Sequence, residues 1–451
     1  MNTPIVDFVR TYAERASLRL HMPGHKGTPL LGFEAFDITE ISGADSLYEA
    51  DGIIRESEKN ASYLFGCPTD YSTEGSSQCI RAMLYLTLLY AKEKGVDRPL
   101  ILAGRNAHKT FLSAAALLDL DVDWLFPAEG GYLSCDISPA RLDAVLSSYE
   151  VKPAAVYLTS PDYLGHILDV ERLSEVCRKH GVLLLVDNAH GAYLKFLSPS
   201  LHPMDLGADI CCDSAHKTLP VLTGGAYLHM GAHLPLDLRS QVKQALALFG
   251  STSPSYLILQ SLDAANAVLA GKDFTPSLMD TAKRVEACRV KLMAHGINAM
   301  QGDEPLKLTL YPQLYGYTGT EVAEHLRKHN IECEFADPNY VVLMVTPAIT
   351  EADLGRLTEV LLSLPRREAL ALCPPLLTPP KRAMSIREAM LSPTETLPVS
   401  ECLGRVLAAA TVGCPPAVPV VVSGEVIDET AIQCFEYYDI KVCSVVKSER
   451  N

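Results

Sequence analysis

A lysine stands in the stretch Asp213-Ser214-Ala215-His216-Lys217-Thr218-Leu219-Pro220, just after an apolar run ending in Cys211-Cys212. Upstream, Val182-Leu183-Leu184-Leu185-Val186 reads as a strand closed by Asp187 and followed by Asn188-Ala189-His190-Gly191. Taken singly, a lysine after a strand is a solvated loop residue and an aspartate at a strand end is a turn or a cap. Together they are an amine and a carboxylate at two strand ends, a helix-length connection apart, with Ser214 and His216 beside the amine. Pyridoxal phosphate asks for that set: an amine to hold it as a Schiff base, an anion against its pyridine nitrogen, and donors around its phosphate.

The elements that position these groups follow from the pattern of the chain. Tyr71-Ser72-Thr73-Glu74-Gly75-Ser76-Ser77-Gln78 is a small-residue turn opening the helical run from Cys79 to Lys94. Gly75 lets backbone approach a ligand, and Ser76 and Ser77 fall where the helix dipole favours an anion, which makes the turn a phosphate cradle. Apolar strands (99–103, 154–159, 182–186, 224–229) alternate with helices (53–65, 111–118, 170–180, 234–249, 257–270). Continuous apolar strands separated by helices predict an α/β fold with a mostly parallel sheet covered on both faces and function at the strands' carboxyl ends. His108, Pro161, Asp187, His190 and Lys217 all fall at such ends. Near the N-terminus His21 and His25 have the spacing of helical metal ligands, but Pro23 and Gly24 between them exclude a regular helix. No metal is expected there.

Bulk properties bound the remaining choices. With 451 residues, 48% apolar and 21% charged, the chain can bury a large core in two or three domains. Its thirteen cysteines are odd in number and lack Cys-x-x-Cys spacing, which argues against a zinc site and a disulfide framework and for a reducing compartment. The N-terminus has no secretory pattern and no window reads as a membrane span, so a cytoplasmic location is expected. A net charge of −15 disfavours nucleic acid and anionic membranes. Composition shifts divide the chain into an N-terminal arm (1–40), a large domain (41–272), a small α+β domain (273–370) and, after a proline-rich linker, a C-terminal unit (371–451). The last contains Gly413-Cys414-Pro415-Pro416-Ala417-Val418-Pro419-Val420-Val421-Val422-Ser423-Gly424-Glu425, read as a Pro-rich turn, an apolar strand and a glutamate.

Six stretches in order carry a resemblance: His21 to Lys26, Asp37 to Glu40, Asp187 to Gly191, Ser214 to Pro220, Ser251 to Tyr256 and Cys414 to Glu425. With them the chain resembles the bacterial Orn/Lys/Arg decarboxylases of the aspartate aminotransferase fold (fold type I), in particular the shorter members without an N-terminal wing domain. The resemblance implies pyridoxal phosphate on Lys217, Asp187 against the pyridine nitrogen, His108 stacked on the ring and Ala189 beneath its other face. Ser76, Ser77, Ser214 and His216 would bind phosphate, Thr252 would complete the phosphate site of a neighbouring subunit in a homodimer or larger assembly, and Glu425 would meet the distal cation of the substrate. Asn188 departs from the family's usual Glu, Tyr193 from a frequent His, and Ala417 and Ser423 from the Gly and Pro of the final motif.

The implied reaction is decarboxylation of lysine, arginine or ornithine, with His108, His190 and Lys217 all open as the group that protonates the α-carbon. An aminotransferase or lyase of the same fold is the alternative. Aminotransferases of this fold clamp the α-carboxylate with an arginine on the small-domain strand, and Tyr340 to Val345 has none. A non-catalytic paralogue is a further alternative, disfavoured because it would have no chemical need for the Lys217 amine.

Overall fold

Seven strands, Thr69–Ser72 (β1), Leu100–Gly104 (β2), Asp121–Leu125 (β3), Ala155–Thr159 (β4), Leu183–Asp187 (β5), Ile210–Asp213 (β6) and Ala226–Met230 (β7), form one sheet in the order β1-β7-β6-β5-β4-β2-β3. The computed structural model describes residues 1–127, 132–372, 374–376, 378–409 and 418–448. Pairs β5–β6 and β2–β3 are parallel, whereas β7 is antiparallel to both β1 and β6. Every residue of β5, β6 and β7 is buried, as expected for strands covered on both faces. The parallel register sets Asp187 beside Cys212, so that β5 and β6 end together. This is an α/β architecture with a seven-stranded central sheet, as expected, joined by two smaller antiparallel sheets.

The chain divides into two compact units, each discontinuous in sequence. One comprises Met1–Pro99, Leu146–Tyr157 and Val170–Pro276; the other comprises Leu100–Val145, Leu158–Asp169 and Ser277–Asn451. In the first, the helix Gly75–Glu93 buries Cys79, Ile80, Ala82, Met83, Leu84 and Leu86. The N-terminal helix Pro4–Glu14 is held by Asp263, whose Oδ2 accepts from the Ile5 and Val6 amides at 2.9 and 3.0 Å. The helix expected over 234–249 is two shorter ones, Leu236–Ser240 and Val242–Ala247. Gln241, at φ −89° and ψ 0°, interrupts the helical hydrogen-bond register without any Gly or Pro to announce it.

In the second unit, Asn298–Ala299 (β8), Lys307–Tyr311 (β9), Phe335–Ala336 (β10) and Val341–Met344 (β11) form a sheet in the order β10-β11-β9-β8. Leu308, Leu310, Val341 and Leu343 pack with Val285, Leu292 and Leu361 of the adjoining helices. Thr394–Pro398 (β12), Leu407–Ala409 (β13) and Val442–Val446 (β14) form the third sheet. The strand expected at Val418 to Val422 is absent: this segment is buried but irregular. Its carbonyls at Pro419 and Val420 are satisfied by the Arg105 guanidinium at 3.0 and 2.8 Å instead of by a strand neighbour. Residues Cys414 to Ala417 of the same motif lie outside the described residues. Among the described residues every cysteine is free and no helix is long and apolar enough to cross a membrane.

A buried polar network fastens the end of β6. The Asp213 carboxylate accepts from Asn188 Nδ2 at 2.6 Å, His202 Nε2 at 3.0 Å and His229 Nε2 at 3.1 Å, and all four residues have no exposed surface. Counting protons fixes the imidazoles. His202 Nδ1 accepts from the Met204 amide, so its proton is on Nε2. The Thr69 hydroxyl lies 3.0 Å from the Cys67 carbonyl and 2.9 Å from His229 Nδ1; when it donates to the carbonyl it accepts from Nδ1, and with Nε2 donating to Asp213 this arrangement makes His229 an imidazolium. Burial opposes that charge, but Asp213 outweighs it and the His229 pKa is raised. For Asp213, burial is likewise outweighed by His202 and His229, and the carboxyl is held far below its usual range.

The sign of the pH dependence follows. His229, raised in the folded state, contributes stability that is full below its unfolded pKa of about 6.5 and is lost as pH rises through the raised value. Asp213, depressed, contributes stability above about pH 4 that is lost as pH falls through the depressed value. In urea denaturation, His229→Gln should cost about 3 kcal/mol at pH 6, and the wild type's advantage should shrink by pH 9. An advantage that grows with pH would contradict the imidazolium assignment.

Candidate active site

Three local features of the first unit bring chemistry-bearing residues to the carboxyl ends of β5 and β6. The first is the β5 end, where Asp187 is 2% exposed. Its Oδ2 accepts from the Tyr157 hydroxyl at 3.0 Å, and its Oδ1 from the Ala189 amide at 3.1 Å and the Cys212 thiol at 3.8 Å. Burial pushes the Asp187 carboxyl up, with Lys217, Tyr157, Ala189 and Cys212 acting in the opposite direction. Lys217 acts on it through its charge, yet Asp187 forms no salt bridge among the described residues, so the buried carboxylate can take a cationic partner from a ligand. A protonated pyridine nitrogen is such a cation. Ala189, next but one along the chain, is small and nearly buried, which leaves room for a flat ring.

The second feature is the one-turn helix Ala215–Thr218 that follows β6 and carries Lys217. Lys217 Nζ lies 3.1 Å from Nε2 of His190, itself buried three residues after Asp187. An amine and an imidazole at this distance can exchange a proton.

The third is the N-terminus of the helix Gly75–Glu93. Gly75 adopts φ +71° and gives its amide to the Gly224 carbonyl at 2.7 Å; Gly224, at φ +99°, would set any Cβ 2.8 Å from the Thr73 carbonyl oxygen. Both positions thus require glycine, and they bring the helix N-terminus against the Lys217 loop. There the Ser214 hydroxyl donates to Ser76 Oγ at 2.7 Å. Ser76 and Ser77 stand in the first turn of this helix, where the dipole and outward-pointing amides of a helix N-terminus favour a phosphate. His216 is partly committed. Its Nδ1 donates to the Gly225 carbonyl at 3.0 Å, and burial lowers its pKa. The remaining Nε2 is therefore an acceptor, and becomes a donor to phosphate only when the ring is protonated.

Asp187, Ala189, His190, Ser76, Ser77, Ser214, His216 and Lys217 thus all belong to these strand ends and this helix terminus. Thr252 does not: it is exposed in the turn before the helix Tyr256–Leu269 and touches none of them among the described residues. His108 and Glu425 belong to the second unit. His108 caps the helix Lys109–Leu118, its Nδ1 accepting from the Thr110 amide at 3.1 Å, which fixes the ring. Glu425 is buried, and its Oε2 accepts from Arg105 Nη2 at 3.0 Å and from the Val422 amide at 2.8 Å. Arg105 is 5.3 Å from the centre of the Trp124 ring and 5.8 Å from that of Phe126. The guanidinium therefore clasps the Pro419 to Glu425 segment and neutralises much of the Glu425 charge.

Sequence reasoning passed over Tyr157, Arg105 and Asp213. A signal existed for Arg105, which directly follows β2, the same kind of strand end that marks Asp187. Tyr157 gave a weaker one, as the polar tip in a strand that is otherwise aliphatic up to Thr159.

Comparison with known proteins agrees with this geometry. The family model described as Orn/Lys/Arg decarboxylase, major domain, matches residues 3–309, and that of the Orn/Lys/Arg decarboxylase C-terminal domain matches 369–443. An arginine decarboxylase of Halalkalibacterium halodurans is 29% identical over 460 residues, covering 95% of this chain and 91% of that protein. The uncharacterized protein YaaO of Bacillus subtilis is 29% identical over 474 residues, covering 96% and 93%. Among solved structures, the Francisella novicida lysine decarboxylase LdcF superposes with a TM-score of 0.82 at 17% identity, over 99% of this chain and 81% of that one. On the breadth of these matches, the chain belongs to the Orn/Lys/Arg decarboxylase family, whose members are pyridoxal-phosphate-dependent amino-acid decarboxylases.

Proposed function

We propose that the chain decarboxylates a basic amino acid, with arginine the first substrate to test because named full-length relatives are arginine decarboxylases. The observation that carries this reading is the pairing of Lys217, four residues beyond β6, with the buried carboxylate of Asp187 at the end of adjacent β5. Bound pyridoxal phosphate supplies the electron sink that takes up the bonding pair when CO2 leaves. Lys217 holds the cofactor and, once displaced by the substrate amine, is left beside His190 as a proton donor for the α-carbon. Asp187 keeps a proton on the ring nitrogen. Ser76, Ser77 and Ser214 would hold the phosphate with the helix N-terminus, and the phosphate's charge would oppose the burial that lowers the His216 pKa, letting that ring join them as a donor. By the family resemblance, His108 would stack on the ring and Ala189 would pack beneath it. Thr252, exposed here, serves the site of a second copy in a homodimer.

Absence of arginine from β11, Val341–Met344, supports decarboxylation over transamination, because a tight clamp on the α-carboxylate would stabilise the group that must depart. Glu425 offers the distal guanidinium or ammonium its Oε1, since Oε2 is spent on Arg105 and Val422.

Two outcomes are expected. The loaded protein should release CO2 from arginine, or failing that from lysine or ornithine, and Lys217→Ala should abolish release while the fold persists by circular dichroism. No CO2 from any of the three would refute the basic-amino-acid reading. Glu425→Gln should raise KM roughly tenfold or more with a smaller change in kcat, the loss of about one charge-assisted hydrogen bond. A loss of thermal stability with KM unchanged would instead confine Glu425 to its clasp with Arg105.

A further inference from the structure

Asp187 lies at the end of a strand whose other residues are all aliphatic, and a single phenol reaches its Oδ2. Tyr157, with no exposed surface, donates to it at 3.0 Å. The remaining donors are on the opposite oxygen: one amide, Ala189, and one thiol, a weak donor, 3.8 Å away. No second hydrogen bond reaches Oδ2 among the described residues, so this hydroxyl is the donor that sets its hydrogen bonding, while Lys217 acts on the carboxylate through its charge.

A carboxylate against a pyridine nitrogen shares one proton with it. In a dry site the neutral arrangement, acid against pyridine, competes with the charged one, carboxylate against pyridinium, because burial disfavours charge. Only the pyridinium is a strong electron sink. A hydroxyl donating to the carboxylate stabilises the charged arrangement by lowering the carboxylate's affinity for the proton.

We propose that Tyr157 is a positioning residue that keeps the shared proton on the cofactor's ring nitrogen by holding Asp187 as the carboxylate. The inference rests on the reading of Asp187 as that nitrogen's partner. The direction of the Asp187 shift fits it: burial raises the carboxyl, and the Tyr157 hydrogen bond acts against that rise together with Lys217. Burial also holds the Tyr157 hydroxyl well above its ordinary range, so it remains a donor at any working pH.

The test is 15N NMR of the protein loaded with pyridoxal phosphate labelled at the ring nitrogen, for the wild type and Tyr157→Phe, with thermal melting of both apoproteins as the fold control. The wild type should show a pyridinium shift. In the Phe variant the shift should move toward neutral pyridine, with kcat lowered about tenfold and KM changed less than twofold. An unchanged shift in a Phe variant that melts like the wild type would overturn the inference, as would an unprotonated nitrogen in the wild type. If the Phe variant does not fold, 3-fluorotyrosine placed at 157 carries the test. Its more acidic hydroxyl is the stronger donor and should leave the 15N shift at fixed pH at least as far toward pyridinium as in the wild type; a move toward neutral pyridine would count against the inference. A protein that shows the pyridinium shift and its loss in Tyr157→Phe, but releases no CO2, would refute the proposed function and leave Tyr157's role standing, since the NMR shift does not depend on turnover.

Discussion

Two carboxylates must be kept ionised at the buried ends of neighbouring parallel strands, and much of the first unit is arranged around that requirement. Asp187 closes β5 and Asp213 closes β6. Both are buried, so each needs fixed donors. For Asp213 these are two imidazoles, an amide and the Cys211 thiol at 3.9 Å, and the imidazoles hold its carboxyl far below the usual range. Asp187 has a phenol, a backbone amide and a thiol, which is enough to orient it and leaves its charge to be matched by a ligand. On the proposed reading, the difference between these donor sets separates a structural carboxylate, Asp213, from a cofactor-facing one, Asp187, although each closes a strand of the same sheet.

The Asp213 network also explains how a loop carrying a nucleophilic amine is held in place. Asn188 follows Asp187 directly, and Ser214 follows Asp213. Bonding Asn188 to Asp213 therefore couples the two strand ends by side chains, in addition to the bond from the Asn188 amide to the Cys212 carbonyl. From there three residues lead to Lys217, and Gly75 and Gly224 let the N-terminus of the helix Gly75–Glu93 close against the same loop. Where the family usually has Glu after the Asp, this chain pairs an Asn with a buried Asp, and the Asn amide supplies a donor that a glutamate lacks.

Much of this was legible in the sequence, for identifiable reasons. Strands buried on both faces show as unbroken apolar runs, so 182–186 and its closing Asp187 stood out, as did the glycine turn before the helix at 75–93. Less visible were interactions that join distant positions through a side chain. Arg105 reaching Pro419, Val420 and Glu425 turns an expected strand into an irregular buried segment, because a guanidinium takes over the work of a strand partner. No local pattern records that. Tyr157 likewise reads as one more large strand residue until β4 and β5 fix where its hydroxyl points, and Gln241 breaks a helix that its composition would continue.

The account stands most directly on which lysine carries the cofactor. Reductive fixation of pyridoxal phosphate on the native protein with borohydride, followed by peptide mass mapping, measures that without any assumption about substrate. The structure predicts a single stoichiometric modification on the peptide containing Lys217. A modification on another lysine, or spread over many surface lysines with Lys217 untouched, would contradict the account at its centre.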